Sequence, residues 1–303
     1  MAPHHRPTHD PQLRNDMPNQ TVAVLGLGAM GSAIAARLRD TGHDTAVWNR
    51  TAAKTAPHAE AGSRAAATVA EAAASSDVVL VVLLDHGSVR EHLEPVAAEL
   101  KDKVVVNLTT TTPNEARSTA AWAAEHGLTY LDGAIMATPD MIGTPVSRLL
   151  YSGERAAFDA AHEVLATLGA ADYEGEDAGL ASLKDMALLT SMYQLFSGFI
   201  QAAAMMRTVG VPAVATAGEV SGWLGAILPH LDQFAAVIDS RDYSGGQSAD
   251  FTRAAIGSLI TASREQGVGA DFLEPLLSRL DELSATGRGG ADWTAVNEQL
   301  AIR

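Results

Sequence analysis

The chain has 303 residues and a mass of 31.6 kDa, with 36 acidic against 21 basic side chains, a net charge of −15 and no cysteine. At roughly 100–200 residues per domain, that length implies two domains. The acidic balance argues against nucleic-acid or membrane-surface partners, because phosphates and anionic headgroups are repelled. Lack of cysteine excludes disulfides, thiolate nucleophiles and Cys-ligated metal centres, and fits a reducing, cytoplasmic setting.

Residues 1–18 are rich in proline and lack an apolar run, which predicts a flexible N-terminal extension without a secretory signal. His4 and His5 could suggest metal binding, but nothing near them would rigidify a site. Val22–Leu25 is a short apolar strand that stops at Gly26 and is followed by helix-forming residues to about Arg39. Ala46–Trp48 reads as a second strand. Val78–Leu84 is a continuous apolar run, as expected of a strand buried on both faces of a parallel sheet. Val104–Val106, Thr129–Leu131 and Leu149–Tyr151 repeat the pattern. Alanine-rich helical segments lie between them, including Pro113–Glu125, whose proline suits a first turn. Alternation through about residue 173 predicts an α/β fold with a doubly wound parallel sheet and right-handed crossovers.

Gly26-Leu27-Gly28-Ala29-Met30-Gly31 is a GxGxxG loop between the first strand and the first helix. In that context the first glycine makes the turn, the second admits a pyrophosphate and the third allows tight helix–strand packing. An NAD site would place a carboxylate at the tip of the second strand for the ribose 2′-hydroxyl. The chain instead reads Trp48-Asn49-Arg50-Thr51, with Lys54 following. Arg50, Thr51 and Lys54 suit a 2′-phosphate, so NADPH is the expected cofactor; a solvated basic turn is the alternative.

Beyond Gly175 the alternation stops, and about 30 residues from Ala178 to Val209 read as one helix ended by Gly210-Val211-Pro212. At ~1.5 Å per residue this rod is about 45–50 Å long. Met186–Met206 carries no charge, yet its scattered Thr, Ser, Tyr and Gln residues argue for a buried helix rather than a membrane span. A helix apolar or neutral on every face must be covered all round, which predicts a homodimer with interlocked C-terminal helices. Ala213–Leu231, Phe251–Gln266 and Asp271–Ala285 read as further helices. The expected organisation is an extension at 1–18, a cofactor domain at 19–176, an inter-domain helix at 177–210 and a helical domain at 211–303.

Asp185 and Tyr193 lie on the rod about 80° apart around its axis, so both can face one cleft. A carboxylate in an otherwise neutral helix is costly unless solvated, paired or functional. Pairing with Lys184 and complementing the helix dipole are the structural alternatives for Asp185, and core packing is the alternative for Tyr193. Phe196 and Trp223 read as packing or pocket lining. No metal-ligand spacing stands out, and no metal is expected.

Taken in order, these motifs resemble the NADPH-dependent imine reductases and their reductive-aminase branch within the β-hydroxyacid dehydrogenase-like superfamily. The resemblance runs from about Asn19 onward. It rests on the glycine loop, Val47-Trp48-Asn49-Arg50-Thr51, Val106-Asn107-Leu108-Thr109 with Thr112-Pro113, and Ile135-Met136-Ala137 with Met141-Ile142-Gly143-Thr144-Pro145. Leu150-Tyr151-Ser152-Gly153, Asp177-Ala178-Gly179, Asp185-Met186-Ala187-Leu188-Leu189 and Met192-Tyr193 complete it. It implies a Rossmann domain, a long helix and a helical dimerisation domain, with hydride transfer from NADPH to the C=N carbon of mainly cyclic imines or iminium ions.

The resemblance makes Asp185 the proton donor or iminium anchor and Tyr193 its catalytic partner. Alongside the glycine loop, Arg50, Thr51 and Lys54, it places Asn49, Leu83, Leu84, Asn107 and Thr109 at the cofactor. Thr110, Met136, Ala137, Met192, Phe196 and Trp223 are placed at the substrate. Thr110 stands where branch members that couple amine and ketone carry Asn, so reduction of a preformed imine is the activity implied most directly. Two alternatives compete with that reading. A β-hydroxyacid dehydrogenase would need a lysine that Lys184 misses by one residue, and an anion-binding loop that Asp132-Gly133-Ala134-Ile135-Met136 replaces. A non-catalytic NADPH-binding dimer would need only the fold.

Overall fold

The computed structural model describes residues 20–301; the extension assigned to 1–18 lies outside the described residues. The N-terminal half forms β1 (Val22–Leu25), α1 (Ala29–Asp40), β2 (Thr45–Trp48), α2 (Ala56–Glu60), β3 (Arg64–Ala65), α3 (Val69–Ala74), β4 (Val78–Val81) and α4 (His86–Leu93). It continues with β5 (Val104–Asn107), α5 (Pro113–Glu125), β6 (Thr129–Met136), β7 (Arg148–Gly153), α6 (Arg155–Ala166) and β8 (Ala170–Gly175). These strands make one eight-stranded sheet in the order β3-β2-β1-β4-β5-β6-β7-β8. The order reverses at β1, which pairs in parallel with both β2 and β4. A crevice therefore opens beyond the carboxyl ends of β1 and β4, where doubly wound sheets bind ligands.

One pairing departs from the all-parallel expectation. β7 runs antiparallel to β6, with Gly133 opposite Tyr151, while β8 is again parallel to β7. The physical reason is the connection: residues 137–147 hold only a short 3₁₀ turn at Pro139–Met141, too little for a helical crossover.

Alternate residues of the strands enter two cores, one on each face. Val22, Val24, Leu80, Val106 and Leu131 meet Ile34 and Leu38 of α1 and Phe158 and Leu165 of α6. Ala23, Leu25, Val79, Val81 and Val105 meet Val69 of α3, Val89 and Leu93 of α4, and Trp122 of α5. Pro113 occupies the first turn of α5, where Thr112 and Glu115 form a reciprocal capping box.

Next come α7 (Gly179–Arg207), α8 (Ala213–Ile227), α9 (His230–Ser240), α10 (Ala249–Glu265) and α11 (Glu274–Leu283). The segment expected as one helix over Ala213–Leu231 is two helices, because Leu228 and Pro229 separate α8 from α9. No described helix is long and apolar enough to cross a membrane. The described residues divide into two compact units, with the boundary inside α7 between Leu189 and Thr190. The second unit has a small core of its own, in which Tyr243, Ala249, Leu280, Leu283 and Ala295 are buried. Among the described residues, Leu195, Phe196 and Ile200 of the long helix are exposed.

Candidate active site

Chain geometry at the end of β1 explains the first glycine. Gly26 has φ +103°, and a Cβ there would stand 2.1 Å from the Val82 carbonyl oxygen. A Cβ on Gly31 would stand 1.9 Å from the Gly26 carbonyl, so only glycine lets α1 begin against the loop. Gly28 is different. It is the N-cap of α1, no side chain caps the helix, and a built Cβ meets no atom within 4 Å. Open space in front of uncapped first-turn amides is what a pyrophosphate requires.

The tip of β2 is tied to this loop through Asn49. Its Oδ1 accepts from Leu27 N at 2.9 Å, and its Nδ2 donates to the Thr51 carbonyl at 3.1 Å. Arg50, Thr51 and Lys54 are exposed, and neither cation forms an ion pair among the described residues. A groove of ≈ 320 Å³ is lined by Gly26, Gly28, Asn49, Arg50, Thr51, Lys54, Leu83 and Leu84. Its glycine floor and unpaired cations fit a dinucleotide carrying a 2′-phosphate. Val82, Ser88 and His92 also line the groove, though the sequence reading did not select them. The spacing of Ser88 and His92, one turn apart after the Asp85 N-cap, was the available signal.

Asn107 and Thr109, expected at the cofactor, connect to the groove lining through Leu83. Both are buried, and the Thr109 hydroxyl accepts from Leu83 N at 3.0 Å while Asn107 Oδ1 accepts from Thr109 N at 3.2 Å. Thr109 thus holds Leu83, which lines the groove.

The same unit holds the acidic candidate. The first turns of α7 pack against β6 and β7 through Ala181, Ala134, Leu150 and Met136. Ser152 Oγ accepts from Ala181 N at 2.9 Å and donates to the Ala178 carbonyl at 2.8 Å, anchoring the start of the helix. Asp185 is only 3% exposed, and burial pushes its carboxyl up to about 6. Lys184 is committed to Glu174 at 2.7 Å, which removes the Lys184 pairing from the structural alternatives for Asp185. Asp185 also lies past the first turn of α7, so the dipole reading is removed as well.

The same unit holds a second buried carboxyl that sequence reasoning missed. Asp132 of β6 is fully buried, accepting at Oδ2 from Ser182 Oγ at 2.8 Å and at Oδ1 from Tyr130 OH at 3.3 Å. Burial pushes Asp132 up to about 7; the Ser182, Tyr130 and Asn107 side chains oppose that shift and the Asp185 charge adds to it. Asn107 biases the titration by its nearness alone, since its Nδ2 closes no hydrogen bond of ordinary geometry.

Of the remaining residues expected at the substrate, in the first unit Thr110 is exposed and Met136 and Ala137 are half-buried. In the second unit Met192 is half-buried, Tyr193 is 63% exposed and Trp223 is 67% exposed. Phe196 lines an apolar groove of ≈ 380 Å³ with Leu195, Phe199, Val220, Leu224 and Leu228.

Comparison with known proteins bears on what these features serve. Residues 21–178 match the NAD-binding domain family of 6-phosphogluconate dehydrogenase, and residues 177–301 match the C-terminal domain family of NADPH-dependent reductive aminase-like proteins. An NADPH-dependent reductive aminase of Aspergillus oryzae is 38% identical over 93% of this chain and 97% of its own length. The chain belongs to the reductive aminase and imine reductase family. A reductive aminase from Aspergillus terreus, solved with NADPH4, cyclohexanone and allyl amine, matches at 39% identity and a TM-score of 0.88, over 94% of this chain and all of the other. An imine reductase from Myxococcus stipitatus, solved with NADP+, matches at 34% identity and a TM-score of 0.88, over 93% of this chain and all of the other.

Proposed function

We propose that this chain is an NADPH-dependent oxidoreductase that reduces C=N bonds, with mainly cyclic imines or iminium ions as substrates. The observation that carries the reading is a buried carboxyl without a cationic partner on the α7 turn of an imine-reductase-family chain. Gly26–Gly31 hold the pyrophosphate, and Arg50, Thr51 and Lys54 hold the 2′-phosphate. Asn49 couples the two by bridging the loop to the strand tip. Bound NADPH supplies the hydride that goes to the C=N carbon.

Asp185 supplies the proton to nitrogen, or faces the iminium as its counter-ion. Its raised pKa keeps a proton available close to neutral pH, and such assistance is typically worth ~10²–10⁴-fold in rate. Tyr193 orients the substrate nitrogen, and Met136, Ala137, Met192, Phe196 and Trp223 shape its apolar surroundings. Thr110 has a hydroxyl but no amide, so reduction of a preformed imine is the primary activity and reductive amination of ketones the secondary one. A 3-hydroxy-acid carboxylate would meet Asp185 where it needs a cation, and Lys184 is held by Glu174.

The working unit is a homodimer in which α7 and the later helices of two copies cover one another. Exposed apolar side chains such as Ile200, Val214 and Trp223 support this. Residues 19–176 then serve the cofactor, 177–210 carry the proton donor, and 211–303 serve dimerisation. The cysteine-free composition supports a cytoplasmic location. The test is NADPH oxidation with 1-pyrroline-type imines alongside NADP⁺ reduction with 3-hydroxy acids. Turnover of imines alone supports the reading. Turnover of hydroxy acids alone, or NADPH binding without turnover of either, overturns it.

A further inference from the structure

One wall of the cofactor groove comes from α4, which carries none of the sequence motifs. Ser88 and His92 stand one turn apart on that helix, and both line the groove that Arg50, Thr51 and Lys54 also line. The His92 ring packs edge-on against Trp48, with centroids 4.9 Å apart and planes at 68°. Trp48 is the last residue of β2 and is buried, so this contact sets the imidazole beside the basic strand tip that begins one residue later. The cation of α4, Arg90, is engaged elsewhere, paired with Glu94 and lying over the Trp122 ring. No carboxylate lines the groove among the described residues.

The ring nitrogens of His92 are unlike those of most histidines in this chain. His43, His58, His86, His126 and His230 each bring a ring nitrogen to a carbonyl or hydroxyl oxygen, and His162 packs on Phe158. His92 bonds to no such oxygen among the described residues, and neither of its nitrogens is sealed in the interior. A ring wanted only to cover Trp48 could be wholly apolar. An imidazole with open nitrogens offers a donor to whatever fills the groove.

We propose that His92 is a specificity-determining residue of the cofactor groove: from the α4 side it donates a ring N–H to the 2′-phosphate that Arg50, Thr51 and Lys54 hold from the β2 side. This rests on the assignment of those three residues to the 2′-phosphate. A phosphate presents three acceptor oxygens, more than one strand tip covers from one direction. A hydrogen bond to a phosphate oxygen is charge-assisted and about twice as strong as one to the hydroxyl that NADH carries there. The His92 contact therefore favours the phosphorylated cofactor over NADH, while the Trp48 contact fixes where the ring stands.

The experiment is calorimetric binding of adenosine 2′,5′-bisphosphate and of 5′-AMP, which differ only in the 2′-phosphate, to the full-length protein. The wild type should bind the bisphosphate more tightly. His92→Phe keeps a ring against Trp48 and removes the donor. It should raise the Kd for the bisphosphate about five- to tenfold and that for 5′-AMP by less than about twofold. His92→Gln, which restores an N–H donor, should regain part of the preference. Equal weakening of both nucleotides by His92→Phe would make the ring a wall for adenosine alone and overturn the proposal, as would no weakening of either. A wild type that binds the two nucleotides equally would instead refute the 2′-phosphate assignment on which the proposal rests.

Ring ¹⁵N spectra of histidine-labelled protein give a second readout independent of turnover. The bisphosphate should shift one imidazole signal that 5′-AMP leaves in place, and His92→Phe should lack that signal. The same shift with 5′-AMP, or its persistence in the variant, overturns the proposal.

Discussion

Asp185 owes its chemistry to what its neighbours do not offer it. Lys184, adjacent in sequence, turns to Glu174, and burial holds the Asp185 carboxyl up at about 6. Asp185→Ala is therefore expected to cut turnover of a cyclic imine at least tenfold while NADPH binding, followed by fluorescence titration, is unchanged. The exposed cations make the complementary case. Charge-assisted hydrogen bonds contribute about 1.5–3 kcal/mol when well formed, with exposed ones at the lower end. Arg50→Ala should thus raise the Kd for NADPH by about tenfold while changing that for NADH by less than a factor of about two. Asp132 makes a stability prediction with a definite sign. Its folded pKa lies above the ordinary 3.8, so the protonated carboxyl favours the native state at acid pH, and that contribution is lost as pH rises toward about 7. The Tm of Asp132→Asn relative to wild type should climb between pH 5 and 8; a constant difference would show that Asp132 does not titrate there.

At the scale of elements, the glycine loop separates folding from binding. A side chain on Gly26 would collide with the Val82 carbonyl, whereas one on Gly28 would enter open space. Gly26→Ala should lower Tm by at least about 5 °C, because a strained backbone and a clash together cost about 2 kcal/mol or more. Gly28→Ala should leave Tm nearly unchanged and weaken NADPH binding, as read by calorimetry of both variants. The loop, the β2 tip and the sheet alternation were legible in the sequence because glycines, apolar runs and cap residues are local signals. The antiparallel β7 was not, since its direction follows from a short connection rather than from its residues. The α8–α9 break needed only Pro229. Asp132 escaped notice because Leu131-Asp132-Gly133 looks like a strand end. Only the register that sets β6 beside α7 brings its carboxyl to Ser182. Asn107 and Thr109 are legible as a motif, and the fold links Thr109 to Leu83 and Asn107 to Thr109.

For the whole molecule, composition and surface point the same way. A chain with 47% apolar residues leaves Ile200, Val214, Trp223, Leu228 and Leu231 exposed in its second unit, whose own buried core is small. Light scattering should give a mass of about twice 31.6 kDa, and Ile200→Glu should shift it toward one copy; a monomeric wild type would remove the dimer from the account. The length implies two domains, and the exposed apolar side chains of the second support its proposed role as one half of a shared helical body. The net charge of −15 suits amine and iminium substrates at the level of the whole surface, and Asp185 is the proposed local charge. The most direct measurement is reduction of a cyclic imine with NADPH carrying two deuterium atoms at C4 of the nicotinamide. The account predicts an amine with one deuterium on the former C=N carbon, formed at least tenfold more slowly by Asp185→Ala. Amine without deuterium at that carbon, or an undiminished rate in the variant, would contradict it.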